Sequence, residues 1–347
     1  MFEWLFGSST GDGADIYVDL GTANTLIAVR GKGIVLNEPS QVMVSETNIK
    51  KRKVLGIGLE GVEISKKNPG HIMTIKPIRD GVIADFDATQ TMLKYFLSKV
   101  LKNASMARPQ VVVSLPYGVT EVEKKAVVQA CRSAGARRTI LIDEPMAAAI
   151  GAGLPIKAAS GQMIIDIGGG TTEIAVIALA DIVYCEALRI GGHKFDEAII
   201  RYMKDYKKLI VDEPIAEFLK INLGTALPKK NIISLEVEGR DLDTGYTRKQ
   251  LVTSEEIGLA LSDSIQAIVH AVLNALENTP PELVSDIIGN GIVLAGGGAL
   301  IKEIASKIET EVRIPVRVAA NPLTAIATGG EMALSDPDLL DKIQLEI

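Results

Sequence analysis

The strand-like run Ile16-Tyr17-Val18 leads into Asp19-Leu20-Gly21-Thr22-Ala23-Asn24-Thr25 and then the apolar Leu26-Ile27-Ala28-Val29. Far downstream, Met163-Ile164-Ile165 leads into Asp166-Ile167-Gly168-Gly169-Gly170-Thr171-Thr172 and then Ile174-Ala175-Val176-Ile177. Each spells a strand, an Asp-x-Gly turn with a hydroxyl residue, and a returning strand, which is a β-hairpin whose tip carries small residues and an acid. One unit written twice points to a duplicated domain. With 347 residues, 47% of them hydrophobic, the chain can bury two cores. Aromatics are few (6 Phe, 7 Tyr, 1 Trp), so those cores must be aliphatic, as suits an α/β protein.

Between the hairpins, 110–115 has a buried-strand pattern closed by Pro116, 121–134 reads as a helix ended by Gly135, and 140–142 is a short strand. Pro145 then opens a helix over 146–150. Strands alternating with helices predict a layered sheet. Residues 40–75, with short strands around the basic turn Lys50-Lys51-Arg52-Lys53, look like a small insertion, and the turn reads as a solvated hairpin tip. Residues 193–252, more polar and helical with a strand pair near 232–237 and 247–251, look like its counterpart. Residues 8–14 and the acidic tail from Ser335 are expected to be loosely held.

The net charge of -6 argues against nucleic acid as a partner. Cys131 and Cys185 stand apart, suggesting neither a disulfide nor a zinc site, and a reducing compartment. His71, His193 and His270 show no ligand or triad spacing, and the Leu stripe in 255–276 reads as core. The longest uninterrupted apolar runs fall far short of the ~20 residues of a membrane span, so no transmembrane helix is expected. The N-terminus lacks the pattern of a secretory signal, which places the chain in the cytoplasm.

A third glycine turn follows the apolar run 292–295, at Gly296-Gly297-Gly298, with a helix expected over 301–308. Glycines let a backbone approach a ligand, and a helix start offers free N–H groups; the same turn also serves plain strand-to-helix packing. Two of the three turns carry an Asp at a strand end, where a carboxylate can hold hydrated magnesium beside phosphates. Nucleotide binding is the resulting reading. No GxxxxGK[ST] occurs, and the 168–172 turn leads to a strand, so neither a P-loop nor a dinucleotide fingerprint is present; the phosphates would sit between two hairpin tips. Asp143-Glu144-Pro145 lies at a strand end before a helix, where a carboxylate either orients a water for attack on a γ-phosphate or caps the helix.

The chain carries Asp19 to Leu26, GKGIVLNEPS at 31–40, DGVIADF at 80–86, DEPMAAAIG at 143–151, Asp166 to Glu173 and GGGAL at 296–300. In that order the set resembles the MreB family of bacterial actin homologues, from about residue 15 to 334. Actin, sugar-kinase and Hsp70 proteins share the phosphate turns but not GKGIVLNEPS or DGVIADF. The resemblance implies an actin-like fold of two duplicated RNase H-like domains, each with a small inserted subdomain, with ATP in the cleft between them. It implies a domain I core of 14–39 with 76–153 and 323–347, subdomain IB at 40–75, a domain II core of 154–192 with 253–322, and subdomain IIB at 193–252. It further implies that Asp19 and Asp166 flank Mg2+ and that Thr22, Ala23, Asn24, Gly168, Gly169 and Gly170 clasp the phosphates. Glu144 would position the attacking water with Thr171 nearby, and Gly296, Gly297, Gly298 and Ala299 would back the nucleoside.

Members of the family use a Glu and a Lys one turn apart at the adenosine. Glu217 and Lys220 have that spacing, although Pro214, Phe218, Leu219 and Asn222 depart from the polar surroundings usual there; an ordinary surface helix pair is the alternative. The 103–108 loop around Met106, often basic and aromatic in the family, is bland here.

Met1, Phe2, Trp4, Leu5 and Phe6 would cover one face of a short helix, with Glu3 opposite and the polar 7–13 segment following. Residues 1–13 are read as an interfacial membrane anchor and linker, the alternative being an element tucked against the body. The resemblance then implies a slow ATPase that polymerises on the inner face of the cell membrane and, with cell-shape and wall-synthesis membrane proteins, maintains rod shape. A small-molecule kinase of the same fold is the alternative; an Hsp70-like chaperone would need a peptide-binding domain where only a short tail follows residue 334.

Overall fold

The computed structural model describes residues 15–45, 53–67, 72–101, 108–228 and 231–346. The anchor Phe2, Trp4, Leu5 and Phe6, the turn residues Lys50, Lys51 and Arg52, and Met106 lie outside the described residues. The chain divides into two compact units, Met1–Ala147 with Ile326–Ile347, and Ala148–Ala325.

The first unit opens with β1 (Ile16–Leu20), β2 (Asn24–Val29) and β3 (Gly33–Pro39), followed by β4 (Val42–Ser45), β5 (Val54–Ile57), α1 (Gly58–Lys67) and β6 (Ile72–Ile75). Then come β7 (Ile78–Arg79), β8 (Val82–Ile83), α2 (Phe86–Leu101), β9 (Gln110–Leu115), α3 (Glu121–Ser133), β10 (Arg138–Asp143) and the start of α4 (Glu144–Gly151), whose residues 148–151 belong to the second unit. The second unit contains β11 (Gln162–Ile167), β12 (Thr172–Ala178), β13 (Asp181–Leu188), α5 (Gly192–Lys207), β14 (Leu209–Ile210), α6 (Glu213–Leu223), β15 (Ser234–Asp241) and β16 (Thr247–Thr253). It continues with α7 (Ser254–Glu277), α8 (Pro281–Asn290), β17 (Ile292–Ala295), α9 (Ile304–Val312) and β18 (Val316–Val318). The last helices are α10 (Ala325–Ser335) and α11 (Pro337–Ile343).

The duplication read from the two hairpins extends to whole sheets. One sheet runs β3-β2-β1-β9-β10 and the other β13-β12-β11-β17-β18. In each, three strands meander antiparallel, the first of them pairs parallel with a later strand, and that strand pairs parallel with one more. Every residue of β1 and β11 is buried, as expected of a strand with both faces covered, which is why both read as near-continuous apolar runs. Each unit has its own aliphatic core. Val18, Ile27, Met92, Phe96, Val113 and Leu141 belong to the first. Ile165, Val176, Phe195, Leu261, Ile268 and Leu294 belong to the second.

Three local expectations are corrected. Segment 40–75 holds strands in the order β5-β4-β6, but also the helix α1. Its glycines permit close packing: a Cβ on Gly61 would stand 2.7 Å from Met43 Sδ. The helix expected over 301–308 is shifted to Ile304–Val312, after a 3-10 turn at Gly297–Leu300 and a left-handed Glu303.

The tail from Ser335 is packed rather than loose. Asp336 caps α11, which buries Leu339, Leu340 and Ile343, and Leu345 N donates to Leu141 O along the edge of β10 (2.8 Å). Helix α7, the stripe read as core, is long and apolar enough by composition to cross a membrane. Its Ile257, Leu261, Ile265, Ile268 and Val272 recur every three or four residues and lie in the core of the second unit, the signature of an amphipathic core helix.

Helix α10 lies so close to β1 that a Cβ on Gly330 would come within 2.1 Å of the fully buried Tyr17 ring. Gly330→Ala is therefore expected to destabilise the first unit by about 1–3 kcal/mol, read as a lower denaturation midpoint in urea.

Candidate functional site

In the first unit, Asp19 is the penultimate residue of β1 and is buried, while Ala23 and Asn24 are exposed at the turn. A Cβ on Gly21 would fall 2.5 Å from Asn24 O, so the turn requires glycine. A tip made of small residues has few side chains with which to fix itself. Here it is fixed from outside. Ser40, directly after β3, donates its hydroxyl to Gly21 O (2.6 Å), sits 2.9 Å from Thr25 Oγ1, and donates its N–H to Ala23 O (3.0 Å). Thr22 is buried, and its Oγ1 accepts from Gly81 N (3.0 Å), in the left-handed Asp80-Gly81 turn. The motifs GKGIVLNEPS and DGVIADF thus converge on the first tip.

Glu144 opens α4 immediately after the last residue of β10 and is 8% exposed. Asp143 beside it is half-buried, and burial pushes its pKa up to about 6, with Lys124 pulling the other way.

In the second unit, Asp166 is the penultimate residue of β11, matching Asp19 in its own sheet. Gly168 N donates to Thr171 O (2.8 Å), closing the tip. The carbonyls of Gly168 and Gly169 accept from Gly192 N (2.9 Å) and His193 N (2.8 Å), the first amides of α5. Thr172 Oγ1 donates to Ile190 O (2.7 Å). A Cβ on Gly191 would stand 2.7 Å from Gly168 O, so this approach requires a residue without a side chain.

The third glycine turn packs against the same strand end. Gly296 has φ +77°, and a Cβ there would meet Ile167 O at 2.3 Å and Asp166 Oδ1 at 2.8 Å; a Cβ on Gly298 would meet Ile167 Cγ2 at 2.2 Å. Packing therefore accounts for Gly296 and Gly298, Ala299 is buried, and Gly297 is exposed.

Lys220 does not form an ion pair with Glu217, which is exposed. Its Nζ lies 2.9 Å from Asp196 and donates to Gly192 O (3.2 Å). Asp196 and Ser40 are residues whose roles sequence reasoning misses. Ser40 stands inside a quoted motif, whereas Asp196 carries no local signal.

Asp166 is 3% exposed, and its Oδ1 is buried with no hydrogen-bond partner among the described residues. An orphaned carboxylate oxygen at a glycine tip suits a hydrated divalent cation, which takes one or two carboxylates and fills its remaining positions with phosphate oxygens and water. Among the described residues no three His, Cys, Asp or Glu side chains gather as a protein-only metal cage, in keeping with that donor set.

Burial pushes the Asp166 carboxyl from 3.8 up to about 7. Because the folded value lies above the unfolded one, the fold binds this proton more tightly, and the associated stability is present below about pH 4 and lost as pH rises through about 7. Asp166→Asn, which mimics the protonated form, is expected to raise the melting temperature of the nucleotide-free protein at about pH 8, with the gain shrinking towards pH 4. A difference independent of pH would show that Asp166 does not titrate in this range.

The sequence profile of the MreB/Mbl protein family matches residues 13–342. The cell shape-determining protein MreB of Escherichia coli (strain K12) is 47% identical over 327 residues, covering 94% of either chain. The cell shape-determining protein Mbl of Bacillus subtilis (strain 168) is 43% identical over 331 residues, 95% of this chain and 98% of that one. The crystal structure of MreB5 of Spiroplasma citri bound to ADP superposes with a TM-score of 0.87 at 35% identity, covering 94% of this chain and 97% of that chain. Its AMPPNP-bound form gives 0.88 at 34% identity, over 94% and 98%. The MamK double helical filament, at 19% identity and a TM-score of 0.78, shares the fold. With an actin-like fold and a profile match over nearly its whole length, this chain belongs to the MreB/Mbl family.

Proposed function

We propose that this protein binds ATP with Mg2+, hydrolyses it slowly, and assembles with copies of itself into filaments at the inner face of the cell membrane, where it organises wall synthesis and maintains cell shape. The observation that carries the nucleotide reading is the buried Asp166 Oδ1, without a hydrogen-bond partner among the described residues, beside a glycine tip held by backbone bonds. The MreB5 relative bound to ADP and AMPPNP supports it, and the relatives named for determining cell shape support the cytoskeletal role. The four-part division into two cores and two inserted subdomains belongs to the same reading.

Asp19 and Asp166 would hold the magnesium, which when bound draws phosphate oxygens together and neutralises their charge. With the Gly168 amide closing the tip on Thr171 O, the amides of Gly169 and Gly170 and the exposed Ala23 and Asn24 would face the phosphates, with Gly297 toward the nucleoside. Glu144, nearly buried and therefore poorly hydrated, would orient a water for in-line attack, with Thr171 beside the phosphates. The kinase reading is disfavoured by the family. The concavity beside Leu20 in the first unit is lined by Ile78, Val82, Leu115 and Val119, and its Glu123 is tied to the Thr120 cap of α3.

Glu144→Ala is expected to slow ATP hydrolysis roughly 10- to 1000-fold while leaving nucleotide affinity nearly intact, measured by phosphate release and by equilibrium titration. Lost affinity or unfolding would make Glu144 a structural cap. Electron microscopy with ATP tests assembly: extended filaments support the reading, and a persistent monomer that phosphorylates a metabolite overturns it.

The N-terminal anchor is proposed from its sequence. Insertion of Phe2, Trp4, Leu5 and Phe6 is worth only several kcal/mol at ~25 cal/mol per Å2, less the cost of ordering a short peptide. Glu3 and the net charge of -6 add no attraction to anionic lipid, so a single copy should bind reversibly and a filament firmly, through avidity. Deleting residues 1–6 is expected to abolish liposome co-sedimentation of ATP-bound filaments while polymerisation in solution persists. Retained binding would move the anchor to the loop near Met106, and lost polymerisation would make the segment a protein interface.

A further inference from the structure

Helices α5 and α6 pack against each other in the second unit and meet at one buried ion pair. Lys220 on α6 and Asp196 on α5 have side chains 14% and 9% exposed, and both Asp196 oxygens lie 2.9 Å from Lys220 Nζ. The same ammonium donates to the carbonyl of Gly192, the first residue of α5 (3.2 Å). Gly192 and its neighbour His193 in turn donate their N–H groups to the carbonyls of Gly168 and Gly169. A continuous path of polar contacts therefore runs from Asp196 through Lys220 and the start of α5 to the glycine tip.

We propose that Asp196 is a positioning residue that acts through Lys220: it fixes the ammonium against Gly192 and so sets the first turn of α5 and the tip that receives the nucleotide phosphates. The proposal rests on the nucleotide reading above. A lysine amine has three N–H groups, and three oxygens stand around Lys220 Nζ, both of Asp196 at 2.9 Å and the Gly192 carbonyl at 3.2 Å. Removing Asp196 would free a long, rotamer-rich side chain held at a site where it is nearly buried.

Burial pushes Asp196 up to about 6, with Lys220 lowering it and Glu217 and Glu213 of α6 raising it, so at neutral pH the carboxylate is ionised and the pair is intact. The other charges nearby are already taken. Lys194 and Glu197 of α5 pair with each other, and Glu256 at the start of α7 pairs with Lys207.

The test is a cycle of Asp196→Asn, Lys220→Met and the double variant, with Asp196→Glu as the conservative rescue. Two quantities are read: hydrogen–deuterium exchange of the 190–195 segment in nucleotide-free protein, and the dissociation constant for Mg-ATP. Asp196→Asn is expected to exchange faster at 190–195 and to bind Mg-ATP roughly tenfold more weakly, the scale of one hydrogen bond to a charged group. Asp196→Glu is expected to restore most of that affinity. The double variant should bind no more weakly than Lys220→Met alone, because Asp196 acts through the lysine.

Unchanged exchange with unchanged affinity in Asp196→Asn, or losses that multiply in the double variant, would overturn the proposal. Should Asp196→Asn not fold, Lys220→Gln breaks the same contact from α6, and the absence of faster exchange at 190–195 overturns it equally. If the wild-type protein fails to bind Mg-ATP at all, the nucleotide reading falls, while the exchange data still decide whether Asp196 holds the tip.

Discussion

A glycine-rich turn can approach a polyphosphate only because it lacks side chains, and for the same reason it cannot hold its own shape. Everything around the two hairpin tips answers that constraint. In the first unit the carbonyls of Gly21 and Ala23 are taken by Ser40, and in the second those of Gly168 and Gly169 are taken by the opening amides of α5. With the carbonyls turned into the protein and bonded, tip amides remain to face an anion, the arrangement by which backbone nests and helix starts bind phosphate. Gly191, Gly296 and Gly298 leave no room for a Cβ, which is what lets the neighbouring backbone come near the second tip.

The aspartates at the strand ends carry the opposite burden. Asp166 is buried deeply enough that its carboxyl holds a proton up to about pH 7, and one oxygen has no partner among the described residues. An uncompensated buried carboxylate is destabilising by itself, so its natural complement is a cation that arrives with the ligand. This arrangement places stability and binding in opposition at one residue: the charge that weakens the empty fold is the charge that a magnesium ion would need. Functional sites commonly retain local cost of this kind.

Much of the fold is legible in the sequence where the signal is local and periodic. The two hairpins, β9, α3 and the strand pair of β15 and β16 come directly from alternation, capping and turn residues. Sequence reasoning fails where glycine has two meanings. The 296–298 turn, read as leading straight into a helix, delays α9 because a 3-10 turn and a left-handed Glu303 intervene. It fails again where partners are remote: spacing pairs Lys220 with the acid three residues away, whereas the structure gives it Asp196, 24 positions upstream on another helix. The tail reads as loose because its acidic surface hides Leu339, Leu340 and Ile343, which one helix turn brings to a single face.

The two units share a strand order but solve the tip problem with different chemistry, and the difference traces to the path of the chain beyond its third strand. After β3 the chain stays extended toward β4, so the residue at that place, Ser40, supplies a hydroxyl and an amide. After β13 the chain turns at Gly191 into α5, so the corresponding place supplies two helix amides and no side chain at all. The first tip can therefore be adjusted by substituting one hydroxyl residue. The carbonyls of the second are bonded to backbone amides of α5, so moving α5 is what alters them. What holds the start of α5 is Lys220 on Gly192, and what holds Lys220 is Asp196. Duplication gave both halves the same sheet, and the divergence of the element after the third strand moved control of the second tip onto a buried ion pair between two helices.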